Sequence, residues 1–229
     1  MYQGSKTVSF EEAVKVVKSG DRIHIHSVAC GPQGVIQALC NRGRAGELRD
    51  VKLQHLHTEG SAPYAEAEFE GFLLAEIMLT ETLTTATRFD CQYIRNIHKL
   101  ALKELYTFAG RYRTVNMSKG GFLFPSALFI PQSMQFFEDE ILKKLPDTYP
   151  DKASLAKDVA IVHGELLFIH PFREGNGRTA RILANLMVRK QGYEGLRFDK
   201  IHFRDYVVAV QRVSEKNYLP MQRIIETIF

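Results

Sequence analysis

The chain has 229 residues, 45% hydrophobic and 24% charged, with a formal net charge of +4. That is ordinary globular composition, and it excludes general disorder, collagen-like repeats and coiled coils. No apolar run approaches the roughly 18 residues of a membrane span, and so mild a charge does not by itself argue for nucleic acid.

The N-terminus lacks the basic-then-apolar pattern of a leader. Cys30, Cys40 and Cys91 show no CxxC spacing and suit free thiols in a reducing cytoplasm. Ser9 reads as an N-cap, with Glu12 as its capping-box partner. The apolar set Phe10, Ala13, Val14, Val16 and Val17 then makes one side of a short helix. Arg22 to His26 alternates and predicts a strand. Gly31-Pro32 opens a second helix, with Val35, Ile36 and Leu39 as its apolar face. Val51 to His57 predicts a second strand, and this strand–helix–strand order predicts parallel pairing.

After Phe72 helical periodicity dominates, and the pattern predicts helices at about 72–84, 90–107, 131–144, 153–169, 176–191, 203–214 and 219–227. One stretch differs. Val115 to Pro125 has Gly120-Gly121 between apolar residues, which predicts a hairpin. Charge divides as well. Residues 1–71 carry 8 Lys+Arg and 9 Asp+Glu, while residues 72–229 carry 22 and 17. The basic part suits an anionic ligand or an ordinarily solvated surface.

The chemistry is concentrated in His170-Pro171-Phe172-Arg173-Glu174-Gly175-Asn176-Gly177-Arg178-Thr179-Ala180-Arg181, between two apolar helices. Pro171 disfavours helix at His170 and helps end the first. Gly175-Asn176-Gly177 makes a tight loop at the start of the second, where unpaired amides can hold an anion. Arg178 and Arg181 share a helix face and can reach that anion. Glu174 offers an oxygen ligand for Mg²⁺ on a nucleotide. His170 is a base suited to neutral pH.

This run resembles the Fic-family signature HPFx(D/E)GNGRxxR at every defined position. The resemblance covers about 72–229 and includes Ile97-His98 and Tyr106-Thr107-Phe108-Ala109-Gly110, followed by Arg111-Tyr112-Arg113. It implies transfer of AMP from ATP to a hydroxyl of a target protein. It makes His170 the general base, Phe172 the buried anchor of the loop and Glu174 the Mg²⁺ ligand. It makes the Gly175-Asn176-Gly177 backbone the phosphate cradle, and Arg178 and Arg181 the phosphate-binding arginines. It gives the hairpin, with Lys119, Gly120, Gly121 and Phe122, the role of a flap that pairs with an extended target segment. Tyr206 falls where the family often has an aromatic near adenine, or else belongs to the core. Many members carry an inhibitory (S/T)xxxE(G/N) helix whose Glu pairs with the second arginine, here Arg181. Glu70-Gly71 is a near match, but Glu66 stands where Ser or Thr is needed. The reading is therefore that a separate antitoxin-like partner supplies that control, or that the control is lacking.

Residues 6–70 are similar to the N-terminal end of acetyl-CoA hydrolases and 4-hydroxybutyrate-type CoA-transferases. The match rests on Lys18 to His26, Gly31-Pro32-Gln33, Leu48 to Val51 and His55 to Tyr64. It brings no catalytic role, since those enzymes use a Glu far downstream. His24, His26, His55 and His57 with Glu59 could alternatively hold zinc.

The expectation is thus a mainly α protein: a Fic-type helical domain with a β-hairpin flap (71–229), preceded by a small α/β (βαβ) piece (1–70). The resemblance implies a cytoplasmic protein adenylyltransferase using Mg²⁺ and ATP on a Tyr, Ser or Thr hydroxyl, and no nucleic-acid or membrane partner is expected. The alternatives are a catalytically silent nucleotide- or partner-binding fusion, and a CoA-binding or acyl-CoA-processing protein.

Overall fold

The computed structural model describes residues 8–24, 33–49, 51–54, 63–119 and 121–229. The chain divides into two compact units, Met1–Phe69 and Glu70–Phe229. Gly31-Pro32, the ends of both predicted N-terminal strands, Cys30, Gly120 and His26, His55, His57 and Glu59 lie outside the described residues, as does the side chain of His24.

The first unit begins with α1 (Phe10–Ala13), capped by Ser9, whose hydroxyl accepts from the Glu12 amide at 3.2 Å. The Glu12 carboxylate pairs with Lys15. Strands β1 (Arg22–His24) and β2 (Lys52–Gln54) flank α2 (Gln33–Arg44) and pair in parallel, Arg22 opposite Lys52. This is the arrangement that a crossover helix imposes. Its described core is small: Val14, Ala38 and Leu39 are buried, with Val17, Ile23, Val35 and Leu48 packed around them.

Most of the second unit is helical, and its first helix begins before the division, within the first unit. Helix α3 (Pro63–Glu81) starts nine residues before the predicted 72, with Pro63 in the first turn, where proline's missing N–H is harmless. Gly71 lets α3 touch the next helix, because a Cβ there would lie 2.0 Å from the Ala101 carbonyl oxygen. Helix α4 (Cys91–Leu102) is capped by Asp90, which accepts from the Tyr93 amide at 2.6 Å. The pattern predicted α4 to run to 107. It stops at Leu102 because Leu105 and Tyr106 fold back in a turn, both amides donating to the Leu102 carbonyl. Those side chains still pack on the core, so their apolar pattern mimics helix. Strands β3 (Ser118–Lys119) and β4 (Phe122–Leu123) form the antiparallel hairpin, with Gly121 at a φ of 81°.

Helix α5 (Ile130–Glu140) leads to α6 (Lys152–Ile169), α7 (Asn176–Lys190), α8 (Phe203–Val213) and α9 (Leu219–Ile228). Asp151 caps α6, accepting from the Ser154 amide at 2.7 Å. Helix α6 is apolar nearly all round and is the central element, packed against α5, α7, α8 and α9. Gly164 brings it close to α8, since a Cβ there would meet Val213 at 2.9 Å. The turn from α6 to α7 is thereby held by two buried helices. Among the described residues, no helix is long and apolar enough to cross a membrane.

Candidate active site

His170 is the C-cap of α6, with left-handed backbone at φ 52° and ψ 58°. That turn, followed by Pro171, leads the chain out of the helix. Its Nδ1 lies 3.1 Å from the Leu167 carbonyl oxygen. A carbonyl only accepts, so Nδ1 carries the proton and Nε2 keeps its lone pair. Burial pushes the imidazole pKa down to about 4, the Leu167 carbonyl opposes this, and the charges of Arg113 and Lys119 lower it further. The ring is therefore neutral at pH 7.

Phe172 is fully buried, an anchor worth about 2–3 kcal/mol, and stacks on His98 with centroids 4.0 Å apart. His98 in turn ties the loop to α4: Nε2 donates to the Glu174 carbonyl at 3.0 Å, while Nδ1 accepts from the Gly110 amide at 2.8 Å. Asn176 closes the loop from inside. Its Oδ1 accepts from the Phe172 amide and its Nδ2 donates to the Phe172 carbonyl, both at 2.8 Å. The Asn176 side chain is thus a clasp, and only its backbone is available to a ligand.

Gly175 caps α7 at a φ of 72°, a conformation that L side chains rarely adopt. The amides that open α7 lack intrahelical acceptors, which makes this end a cradle for anions. A Cβ on Gly177 would meet nothing within 4 Å, so the backbone there is open to a ligand. Glu174 Oε1 accepts from the Gly175 amide at 2.9 Å and lies 3.4 Å from Arg178 Nη2. Both contacts fall on Oε1, which leaves Oε2 as an oxygen donor of the kind Mg²⁺ takes. Arg178 also stacks over Phe72, its Cζ 4.6 Å from the ring centroid.

Arg181 lies over Phe198, 5.8 Å from the centroid, and pairs with no carboxylate among the described residues. Beside it is Tyr206, whose ring is 8% exposed. The Tyr206 hydroxyl donates to His163 Nε2 at 2.5 Å, because His163 Nδ1 donates to the Ala180 carbonyl. Tyr206 is thus a core residue next to Arg181, its hydroxyl committed to His163. Glu70 is exposed on α3.

The hairpin stands beside this loop. Lys119 and Gly121 are exposed, and Phe122 packs at 6.3 Å from Phe168, two residues before His170. Phe124, which follows β4, stacks face to face on His170. The structure therefore gathers His170, Glu174, Arg178, Arg181 and the open Gly177 backbone around one turn, with the hairpin on the His170 side. Arg113 has no assignment from the signature, yet it is 1% exposed and bonds to both the hairpin and the loop. An arginine in a sequence reads as surface, so its burial could not be foreseen.

A model of the Fic/DOC family matches residues 88–188. The "Probable protein adenylyltransferase y4lH" of Sinorhizobium fredii is 32% identical over 134 residues, covering 58% of this chain and 69% of its own. The "Protein adenylyltransferase Fic" of Nematostella vectensis is 30% identical over 136 residues, covering 58% of this chain and 30% of its own. The chain spans about a third of the length of the first curated relatives. The N-terminal Fic domain of a Bartonella quintana effector, solved with bound ADP, has the same fold at a TM-score of 0.61 and 22% identity, over 72% of this chain and 83% of that one. BepC of Bartonella tribocorum, solved with bound AMPPNP, matches at 0.61 and 20% identity, over 72% and 85%. The matched segment holds α6, the loop and α7 as far as Val188, and the chain belongs to the Fic/DOC family.

Proposed function

We propose that this chain transfers AMP from Mg-ATP to a Tyr, Ser or Thr hydroxyl of a target protein. The observation that carries the reading is the state of His170: its proton is fixed on Nδ1 by Leu167, leaving Nε2 as a base one turn from an anion cradle. The target oxygen attacks the α-phosphorus and its proton passes to Nε2. The new P–O bond forms as the bond to the bridging oxygen breaks, and pyrophosphate leaves. Such a displacement needs charge neutralisation and in-line positioning more than covalent help. Arg178, Arg181 and the first amides of α7 hold the phosphates. Mg²⁺ held by Glu174 would neutralise further charge on them.

Relatives named as adenylyltransferases, and fold neighbours solved with ADP or AMPPNP, support this choice of donor. The hairpin suits an extended target segment adding along its edge, at Lys119, Gly120, Gly121 and Phe122. Tyr206 is assigned to steadying Arg181, in place of adenine contact. The absence of a carboxylate on Arg181 among the described residues suits control by a separate antitoxin-like partner. Free Cys40 and Cys91 suit a reducing cytoplasm. The N-terminal piece, with its small core, is assigned no catalysis.

The test is incubation with Mg²⁺ and ATP labelled on the α-phosphate, beside γ-labelled ATP and His170→Ala, scoring proteins of a cell lysate and the chain itself. Label from α but not γ, lost in His170→Ala, is the expected result. A folded chain that passes on no label from α-labelled ATP would end the reading.

A further inference from the structure

The short hairpin raises a question of support. Its strands are two residues each, far too short to fix their own position, since even longer isolated hairpins are marginal in water. Something outside the ladder must hold it over His170. Arg113 occupies the right place. Its guanidinium is buried, and among the described residues it pairs with no carboxylate. All of its acceptors are backbone carbonyls. Nη1 donates to Val115 at 2.8 Å, where the chain enters the hairpin. Nη2 donates to Pro125 at 2.5 Å, where the chain leaves it, and to Ile169 at 3.4 Å. Nε donates to the His170 carbonyl at 2.7 Å. The Arg113 amide adds a bond to the Pro171 carbonyl at 2.7 Å.

One planar cation thus clamps both feet of the hairpin and the backbone of His170. A buried charge of this kind is stable only while its donors are satisfied. Losing either hairpin foot leaves N–H groups unpaired, so hairpin and loop are held as one unit. Lysine cannot do the same, because a single ammonium lacks the fork that spans carbonyls from three segments.

We propose that Arg113 is a positioning residue that fixes the hairpin relative to His170, and so sets the distance between a hairpin-bound target segment and the base. The proposal rests on the AMP-transfer reading for its catalytic consequence, but the clamp itself is measurable without transfer.

The experiment compares the full chain with Arg113→Lys and Arg113→Met. Amide hydrogen exchange is followed in peptides over 114–126 and over α6 and α7. Carbethoxylation of His170 by diethyl pyrocarbonate is followed by mass spectrometry. ATP affinity and AMP transfer are measured alongside. We expect exchange over 114–126 and His170 modification to rise about tenfold or more, with α6 and α7 protected as before. ATP affinity stays within about twofold, while kcat falls about 10- to 100-fold. Arg113→Lys shows a milder form of each change, and it decides alone if Arg113→Met does not fold. Native hairpin exchange and His170 reactivity in the folded variants would overturn the proposal. So would a loss of protection spread evenly over α6 and α7, which marks general stability only. If the native chain transfers no AMP, the functional reading fails, and the exchange and modification data still decide on the clamp.

Discussion

The rings of His170 and Phe124 lie face to face, with centroids 3.8 Å apart and planes 16° from parallel. One side of the imidazole is therefore covered by the residue that follows the hairpin. The cover desolvates the ring and helps keep it neutral.

Removing that cover gives the first prediction. Phe124→Ala exposes one face of His170. Carbethoxylation of His170 should accelerate several-fold, and stability should fall by about 1 kcal/mol from loss of the stack. AMP transfer should drop about tenfold through a less well placed base. Modification rates, urea melts and the label assay check each part. Unchanged His170 reactivity would show that the stack shields nothing.

Asn176 should matter to stability more than an ordinary surface asparagine. Asn176→Ala leaves the Phe172 amide and carbonyl without their partners. Each buried unsatisfied group costs about 1–3 kcal/mol, so a loss of about 2–4 kcal/mol is expected in denaturant unfolding. Asn176→Asp keeps the acceptor for the Phe172 amide but sets a carboxylate oxygen against the Phe172 carbonyl, so it too should lose stability at pH 7, and less at a pH low enough to protonate it. Native stability of Asn176→Ala would contradict the two-way clasp.

The two loop glycines should respond oppositely to a methyl group. Gly175→Ala places a Cβ 2.7 Å from Phe72 at a φ of 72°. Backbone strain and overpacking together should cost about 2–4 kcal/mol. Gly177→Ala adds its methyl in open space inside a helix, which stabilises by up to about 1 kcal/mol. The same methyl stands where phosphates approach, so ATP affinity should fall although the protein is more stable. Calorimetric melts with and without ATP separate the two. Gly177→Ala with full ATP affinity would move the anion elsewhere.

Acid should weaken the fold through two histidines. His163 and His170 both have pKa values lowered to about 4, chiefly by burial, from an unfolded value near 6.5. Above pH 6.5 neither state carries the protons and the contribution is flat. Between 6.5 and 4 the unfolded chain binds protons that the folded chain refuses, so stability falls as pH falls. Each histidine accounts for about 3 kcal/mol across the window. Urea melts from pH 7.5 to 4.5 test the sign. The acid limb of kcat/KM should likewise lie below pH 6. A limb near 6.5 would mean that the ring is solvated in the working enzyme.

The helices were legible because their signals are local. Apolar periodicity marks these helices, and α6 is apolar enough to announce a buried helix. The turn after Leu102 was not legible, since Leu105 and Tyr106 pack on the core from a turn as they would from a helix. The chemistry of the loop could be read from its residue types. The contacts supporting it could not: Arg113 spends its donors on carbonyls that any residue offers, and the Asn176 side chain turns inward to Phe172. Tertiary geometry decides both.

The left-handed backbone of His170 has a practical consequence for making inactive protein. His170→Ala removes the imidazole but keeps a Cβ at a φ of 52°, where an L residue is strained by about 1–2 kcal/mol. His170→Gly removes the imidazole and the strain together, at the price of a looser unfolded chain. Two equally dead variants should therefore differ in resilience, the glycine form melting at or above the alanine form. For trapping a target on an inert protein, glycine is the better choice.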